Sequence, residues 1–185
     1  MTKLAVFFPG IGYTVDKPLL HYSRRIAQDL GYDIRLLTYS GFPKGVKGDR
    51  AKMVESYNIA LAQSREMLTG IDLTQYEDVL FVGKSIGTII AAQIASESPV
   101  TVRLILYTPL EDTFLFPVEK AIVFTGSEDP WVGGSKSRIS QLCREREIPC
   151  IIIPEGNHSL ESKNLEADIR NMQMIMKETD RFVRK

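Results

Sequence analysis

The chain has 185 residues, of which 44% are apolar and 25% charged, a balance that excludes a disordered chain and a membrane span. Its 23 basic residues cancel its 23 acidic ones, so no long-range field draws in a nucleic acid or an anionic membrane. The length suits a single domain, residues 1–185, with a substantial core.

The first apolar run, Leu4 to Phe8, is too short for a signal-peptide core and is broken by Pro9-Gly10. It reads as a strand buried on both faces and ended by a tight turn, in a protein expected to stay in the cytoplasm. A helix fits Pro18 to Leu30, with a proline in its first turn and Gly31 at its end. Asp33 to Thr38 reads as a second strand, and Ser40 to Gly48 as an exposed, mobile loop rich in Gly, Pro and Lys. Arg50 to Leu68 carries apolar residues at helical spacing and stops at Gly70.

Asp78 to Val82 is a third strand, followed by a helix of small residues over Ile86 to Ser96 that Pro99 terminates. Val102 to Tyr107 and Ala121 to Phe124 are further strands, separated only by the short segment Thr108 to Lys120. A helix over Ser135 to Glu147, a last strand over Pro149 to Ile153 and a long helix over Leu160 to Thr179 complete the order. Continuously apolar strands alternating with helices require a mostly parallel sheet covered on both faces. The predicted fold is α/β, a three-layer α/β/α sandwich around six strands, with each strand-to-helix loop at the carboxyl edge where ligands bind.

Gly83-Lys84-Ser85-Ile86-Gly87 stands between the third strand and its helix and fits the G-x-S-x-G nucleophile elbow. The glycines relieve a sharp, strained strand-to-helix turn that leaves the serine oxygen projecting above the sheet. The turn also sets the Ile86 N–H and the helix dipole toward a developing oxyanion. A second donor is expected from the turn Phe8-Pro9-Gly10-Ile11-Gly12-Tyr13, at Ile11 or alternatively Gly12. Lys84, across the sharp turn from Ser85, reads as a surface residue or a modulator of pocket charge.

A serine hydroxyl needs a base, and the chain holds two histidines, His21 and His158. His158 follows the last strand, on the same sheet edge as Ser85, whereas His21 lies within the first helix and reads as a surface or partly packed residue. The base in turn needs a carboxylate to fix its tautomer. Thr125-Gly126-Ser127-Glu128-Asp129-Pro130 follows the fifth strand and offers Glu128 and Asp129. Cys143 and Cys150 make neither a metal-ligand spacing nor a disulfide framework and read as reduced, mostly buried thiols.

Together, the FFPGIG turn, GKSIG, GSEDP and GNHS resemble the α/β-hydrolase superfamily in a minimal form lacking its two N-terminal strands. The resemblance covers nearly the whole chain. It favours Asp129 over Glu128, because the family's acid loop often reads G-x-x-D-P, and it supports His158 through the pattern G-x-H. It implies a serine hydrolase in which Ser85, Asp129 and His158 are catalytic, with Ile86 and Ile11 amides as oxyanion hole and no metal or organic cofactor. The family's frequent His-Gly at the oxyanion turn is Pro9-Gly10 here, which leaves that donor the least constrained member.

With only Thr108 to Lys120 where larger relatives insert a lid, the site is expected to be open, with Trp131 and Tyr13 as walls. Such a site suits a small carboxylic ester or thioester, a small-molecule acyl substrate. An amidase, peptidase or acyltransferase would use the same three residues, and a non-catalytic binding protein would share the fold. A phosphate-binding loop ending in Gly83-Lys84-Ser85 is excluded, because its first glycine would fall at Asp78 and a buried strand occupies the loop. A dinucleotide fingerprint from Gly10-Ile11-Gly12 fails at Val15.

Overall fold

The computed structural model describes residues 2–133 and 138–185. Among them lie six strands, β1 (Lys3–Phe8), β2 (Tyr32–Leu36), β3 (Asp78–Lys84), β4 (Val102–Tyr107), β5 (Ala121–Gly126) and β6 (Cys150–Ile153). Every pairing is parallel, in the order β2-β1-β3-β4-β5-β6. The helices are α1 (Pro18–Asp29), α2 (Arg50–Met67), α3 (Ile86–Ser96), α4 (Ile139–Glu145) and α5 (Leu165–Val183).

The two faces of the sheet bury separate clusters. Phe7, Leu80, Val82, Ile105 and Phe124 pack with Leu20 and Ala27 of α1 and Ile175 of α5. Val6, Phe8, Phe81, Leu104 and Val123 pack with Ala60 of α2, Ile89 and Ile90 of α3 and Ile139 of α4. Alternate residues of one strand thus feed opposite layers, which is why the middles of β1, β3, β4 and β5 are continuously apolar, with the charged residues Lys3, Asp78, Lys84 and Arg103 at or next to strand ends. The edge strands differ: β2 has a mixed pattern of exposure, and Ile152 of β6 is half exposed. At the amino edge, Arg103 joins Asp78 and donates to the Phe182 carbonyl (2.9 Å), fastening the end of α5 to the sheet.

Several boundaries depart from the sequence reading. The last helix begins at Leu165 rather than Leu160, because Asn164 caps it by accepting from the Ala167 N–H and Leu160 has a left-handed backbone (φ 61°). It runs on to Val183. The start of the expected helix at Ser135 lies outside the described residues. Segment 40–48 is largely exposed, as read from its composition, but is tied down at points: Val46 is buried, Phe42 meets Tyr39 edge-on, and Gln63 bonds both the N–H and the carbonyl of Ser40. No helix among the described residues is long and apolar enough to cross a membrane.

Candidate active site

The all-parallel sheet brings the loops after β1, β3, β5 and β6 to one edge, and the elbow, after β3, sits between the loop after β1 and those after β5 and β6. Ser85 has φ 55° and ψ −123°, a conformation that costs a non-glycine residue on the order of 1–3 kcal/mol and survives only where its surroundings enforce it. Enforcement comes from both sides. The Ser85 N–H donates to the Tyr107 carbonyl at 3.0 Å, while the Ser85 carbonyl accepts from the Thr88 N–H (2.9 Å) and hydroxyl (2.6 Å). Gly87 permits α3 to press on the end of β1: a Cβ there would lie 2.2 Å from the Phe8 carbonyl oxygen.

The structure brings Ser85, His158 and Asp129 together. Ser85 Oγ is 2.7 Å from His158 Nε2, and His158 Nδ1 is 2.7 Å from Asp129 Oδ2. A carboxylate accepts, so Nδ1 carries the proton and the Nε2 lone pair faces the serine hydroxyl. Glu128, the other carboxylate of the loop, points to solvent, whereas Asp129 is 0% exposed. The second Asp129 oxygen accepts from the Trp131 N–H at 2.9 Å. Burial holds His158 below its ordinary pKa, against the pull of the Asp129 hydrogen bond, and the Lys84 charge adds to the lowering. The imidazole is therefore free to accept a proton at neutral pH.

Two loops position this pair jointly. The Ser127 N–H donates to the Ile153 carbonyl (3.0 Å), the Glu128 N–H to the Gly156 carbonyl (2.9 Å) and the Glu155 N–H to Ser127 Oγ (2.9 Å). The turn after β1 closes on itself through the Gly10 N–H to Tyr13 carbonyl bond (3.0 Å) and abuts the elbow, where a Cβ on Gly10 would stand 3.2 Å from Ser85 Cβ. Ile11 occupies this turn and Ile86 the first position of α3; among the described residues neither amide donates to a protein acceptor. Both donors are thus left uncommitted by the fold.

Trp131 stacks on the His158 ring, centroids 5.2 Å apart and planes at 26°, and also lines an open cleft of about 600 Å³ with Val46, Met53, Leu110 and Val132. Met53 and Asp112 extend that cleft into a smaller groove of about 270 Å³ beside Tyr57 and Leu115. Tyr13 is not a wall of the site. It is buried in the α1 layer, its hydroxyl accepting from the Leu19 N–H (3.1 Å). Lys84 is not a surface residue either: it is 1% exposed, its Nζ 4.9 Å from the centre of the Tyr13 ring. A lysine at a strand end gives no sequence signal of burial, because the groups that surround it come from distant loops. His21 faces the Arg24 guanidinium at 3.2 Å within α1, and Cys143 and Cys150 are free thiols.

No protein-family profile and no curated protein matches the chain. Solved structures do. A lidless α/β serine hydrolase from Xanthomonas campestris superposes with a TM-score of 0.62 at 14% identity, over 98% of this chain and 81% of its own. An α/β serine hydrolase homologue from Coxiella burnetii gives 0.61 at 16% identity, over 96% and 84% of the two chains. A dienelactone hydrolase from Anabaena variabilis gives 0.61 at 18%, over 95% and 84%. The chain has the α/β-hydrolase fold, in a form of six parallel strands.

Proposed function

We propose that the protein is a serine hydrolase that cleaves a small carboxylic ester or thioester through an acyl-serine intermediate. The observation that carries this reading is the continuous chain from Ser85 Oγ through His158 to the buried Asp129, at 2.7 Å in both steps, on an elbow of positive φ. His158 takes the Ser85 proton as Oγ adds to the substrate carbonyl, and the imidazolium so formed is stabilised by Asp129. The Ile86 and Ile11 amides hold the oxyanion. Collapse of the tetrahedral adduct expels the alcohol or thiol with the proton from His158, and water then attacks the acyl-enzyme with the same base.

The open cleft beside Trp131 supports a small-molecule acyl substrate that enters without a lid. Neither nucleic acid nor membrane takes part in this reading, in which a single cytoplasmic domain supplies every reacting group. The structural neighbours include serine hydrolases, which agrees with it at the level of the fold.

Incubation with a fluorophosphonate and measurement of intact mass tests the proposal without a guessed substrate. A single adduct on the wild type and none on Ser85→Ala is expected. A folded wild-type protein that gains no mass would overturn it.

A further inference from the structure

Lys84 precedes Ser85 in the chain but belongs to the other side of the sheet. Leu80 and Val82 of β3 face the α1 and α5 layer, and strand alternation sends Lys84 there as well. Its ammonium has been taken from water almost completely. That costs several kcal/mol unless other charges and dipoles compensate. Two tyrosines flank it, Tyr13 beneath its Nζ and Tyr107 as its cross-strand partner on β4, and two ionisable groups act on it or feel it from further off. Tyr13 supplies the ring beneath Nζ, and the Tyr13 hydroxyl, held by the Leu19 N–H, cannot turn to replace it. Tyr107 of β4, buried between Ser23 and Thr179, contributes a phenol that stays neutral, its pKa pushed up to about 12 by burial. Asp129 and His158, from the loops after β5 and β6, lie within electrostatic reach rather than in contact, joined to the neighbouring residue Ser85 by the two 2.7 Å hydrogen bonds. Further out, Glu161 acts on Tyr13 and the Lys47 charge on His158.

The arrangement at Asp129 differs from a lone buried carboxylate. Such a carboxylate attracts the imidazolium proton and raises the pKa of the base beside it. Here a second cation shares the field of the same carboxylate. Burial drives the Lys84 pKa down to about 7 while Asp129 opposes the fall, and the Lys84 charge disfavours protonation of His158.

We propose that Lys84 is a positioning residue of the site: seated on the Tyr13 ring as counter-charge to Asp129, it keeps His158 unprotonated and extends hydrolysis into mildly acidic pH. The proposal rests on the serine hydrolase reading and deepens it. Its sign is fixed by the geometry. A positive charge near the imidazole weakens proton binding, so its removal shifts the acid limb of the activity profile to higher pH. Above the midpoint of both forms the imidazole is neutral either way, and the two rates converge.

The test is the second-order rate of fluorophosphonate labelling of Ser85 as a function of pH, for the wild type and for Lys84→Met, which keeps the buried chain and removes the charge. The expected midpoint of the variant lies about one pH unit higher. Labelling is up to about tenfold slower than wild type on the acid limb, below both midpoints, and within about twofold near pH 9. An unchanged midpoint, or a uniform loss at every pH, would overturn the role. Failure of the parent reading is separable, since the wild type would then label at no pH. Should Lys84→Met not fold, wild-type protein carrying 13C at lysine Cε answers the same question by NMR. The expected Lys84 resonance titrates near neutrality with a second inflection at the His158 midpoint; an ordinary lysine titration without that inflection overturns the proposal.

Discussion

A Cβ placed on Gly126 would lie 2.0 Å from the carbonyl oxygen of Gly156, so the acid loop and the histidine loop touch through their backbones. The Asp129 to His158 distance of 2.7 Å is set by this contact and by the Glu128 N–H bond to the same carbonyl. Gly126→Ala must push the loops apart, and a misplacement of about 1 Å in a reacting constellation costs on the order of a hundredfold. The expected result is a loss in fluorophosphonate labelling rate of that size, with a smaller effect on stability read by urea unfolding. A variant that labels at the wild-type rate would show that the loops tolerate separation.

The two carboxylates of the acid loop give a sharp comparison. Asp129→Asn replaces an acceptor by an amide that stabilises the wrong imidazole tautomer, and the expected fall in turnover is about ten-thousandfold. Glu128 is exposed and its side chain bonds nothing among the described residues, so Glu128→Gln should leave the rate unchanged. Parallel rate measurements on the two folded variants decide the assignment.

Trp131 contributes in two separable ways, through its backbone N–H on Asp129 and its ring on His158. Trp131→Ala keeps the first and removes the second, leaving the imidazole free to rotate. A fall in the labelling rate of about tenfold is expected, and Trp131→Phe, which retains an aromatic face, should recover most of it. Equal rates for both variants would restrict the ring to lining the cleft.

How far the sequence reaches depends on how local the determining forces are. The strands Leu4 to Phe8 and Val102 to Tyr107 were legible because a strand covered on both faces has an apolar residue at nearly every position, and the elbow because its glycines answer a local backbone requirement. The edge strand β2 begins one residue earlier than its apolar pattern and ends at Leu36, since its outer side has no partner to sustain it. Leu160 continues the apolar spacing of α5 but is held in the turn that presents His158, where its N–H donates to the Asn157 carbonyl at 2.9 Å. Lys84 is the largest departure. Its charge reads as solvent exposure, and only the assembled loops reveal the carboxylate and the aromatic ring that let it be buried.

That burial has a cost which pH should reveal. The Lys84 pKa falls from 10.5 to about 7 on folding, so the unfolded chain binds the additional proton between those limits. Stability therefore rises with pH through the window from about 7 to 10.5, and the full penalty applies below it. At about 1.4 kcal/mol per pH unit the penalty is of the order of 5 kcal/mol before losses elsewhere are counted. Lys84→Met carries no such charge and should be more stable than the wild type at pH 6, with the difference shrinking as pH approaches 10. Urea unfolding at a series of pH values measures this directly, and the remaining titrating groups, common to both proteins, largely cancel in the difference. A gap that is constant with pH would mean that Lys84 keeps an ordinary pKa in the folded protein. A closing gap, set beside a raised midpoint for labelling, would mean that stability is sacrificed at this position to keep His158 ready to accept a proton.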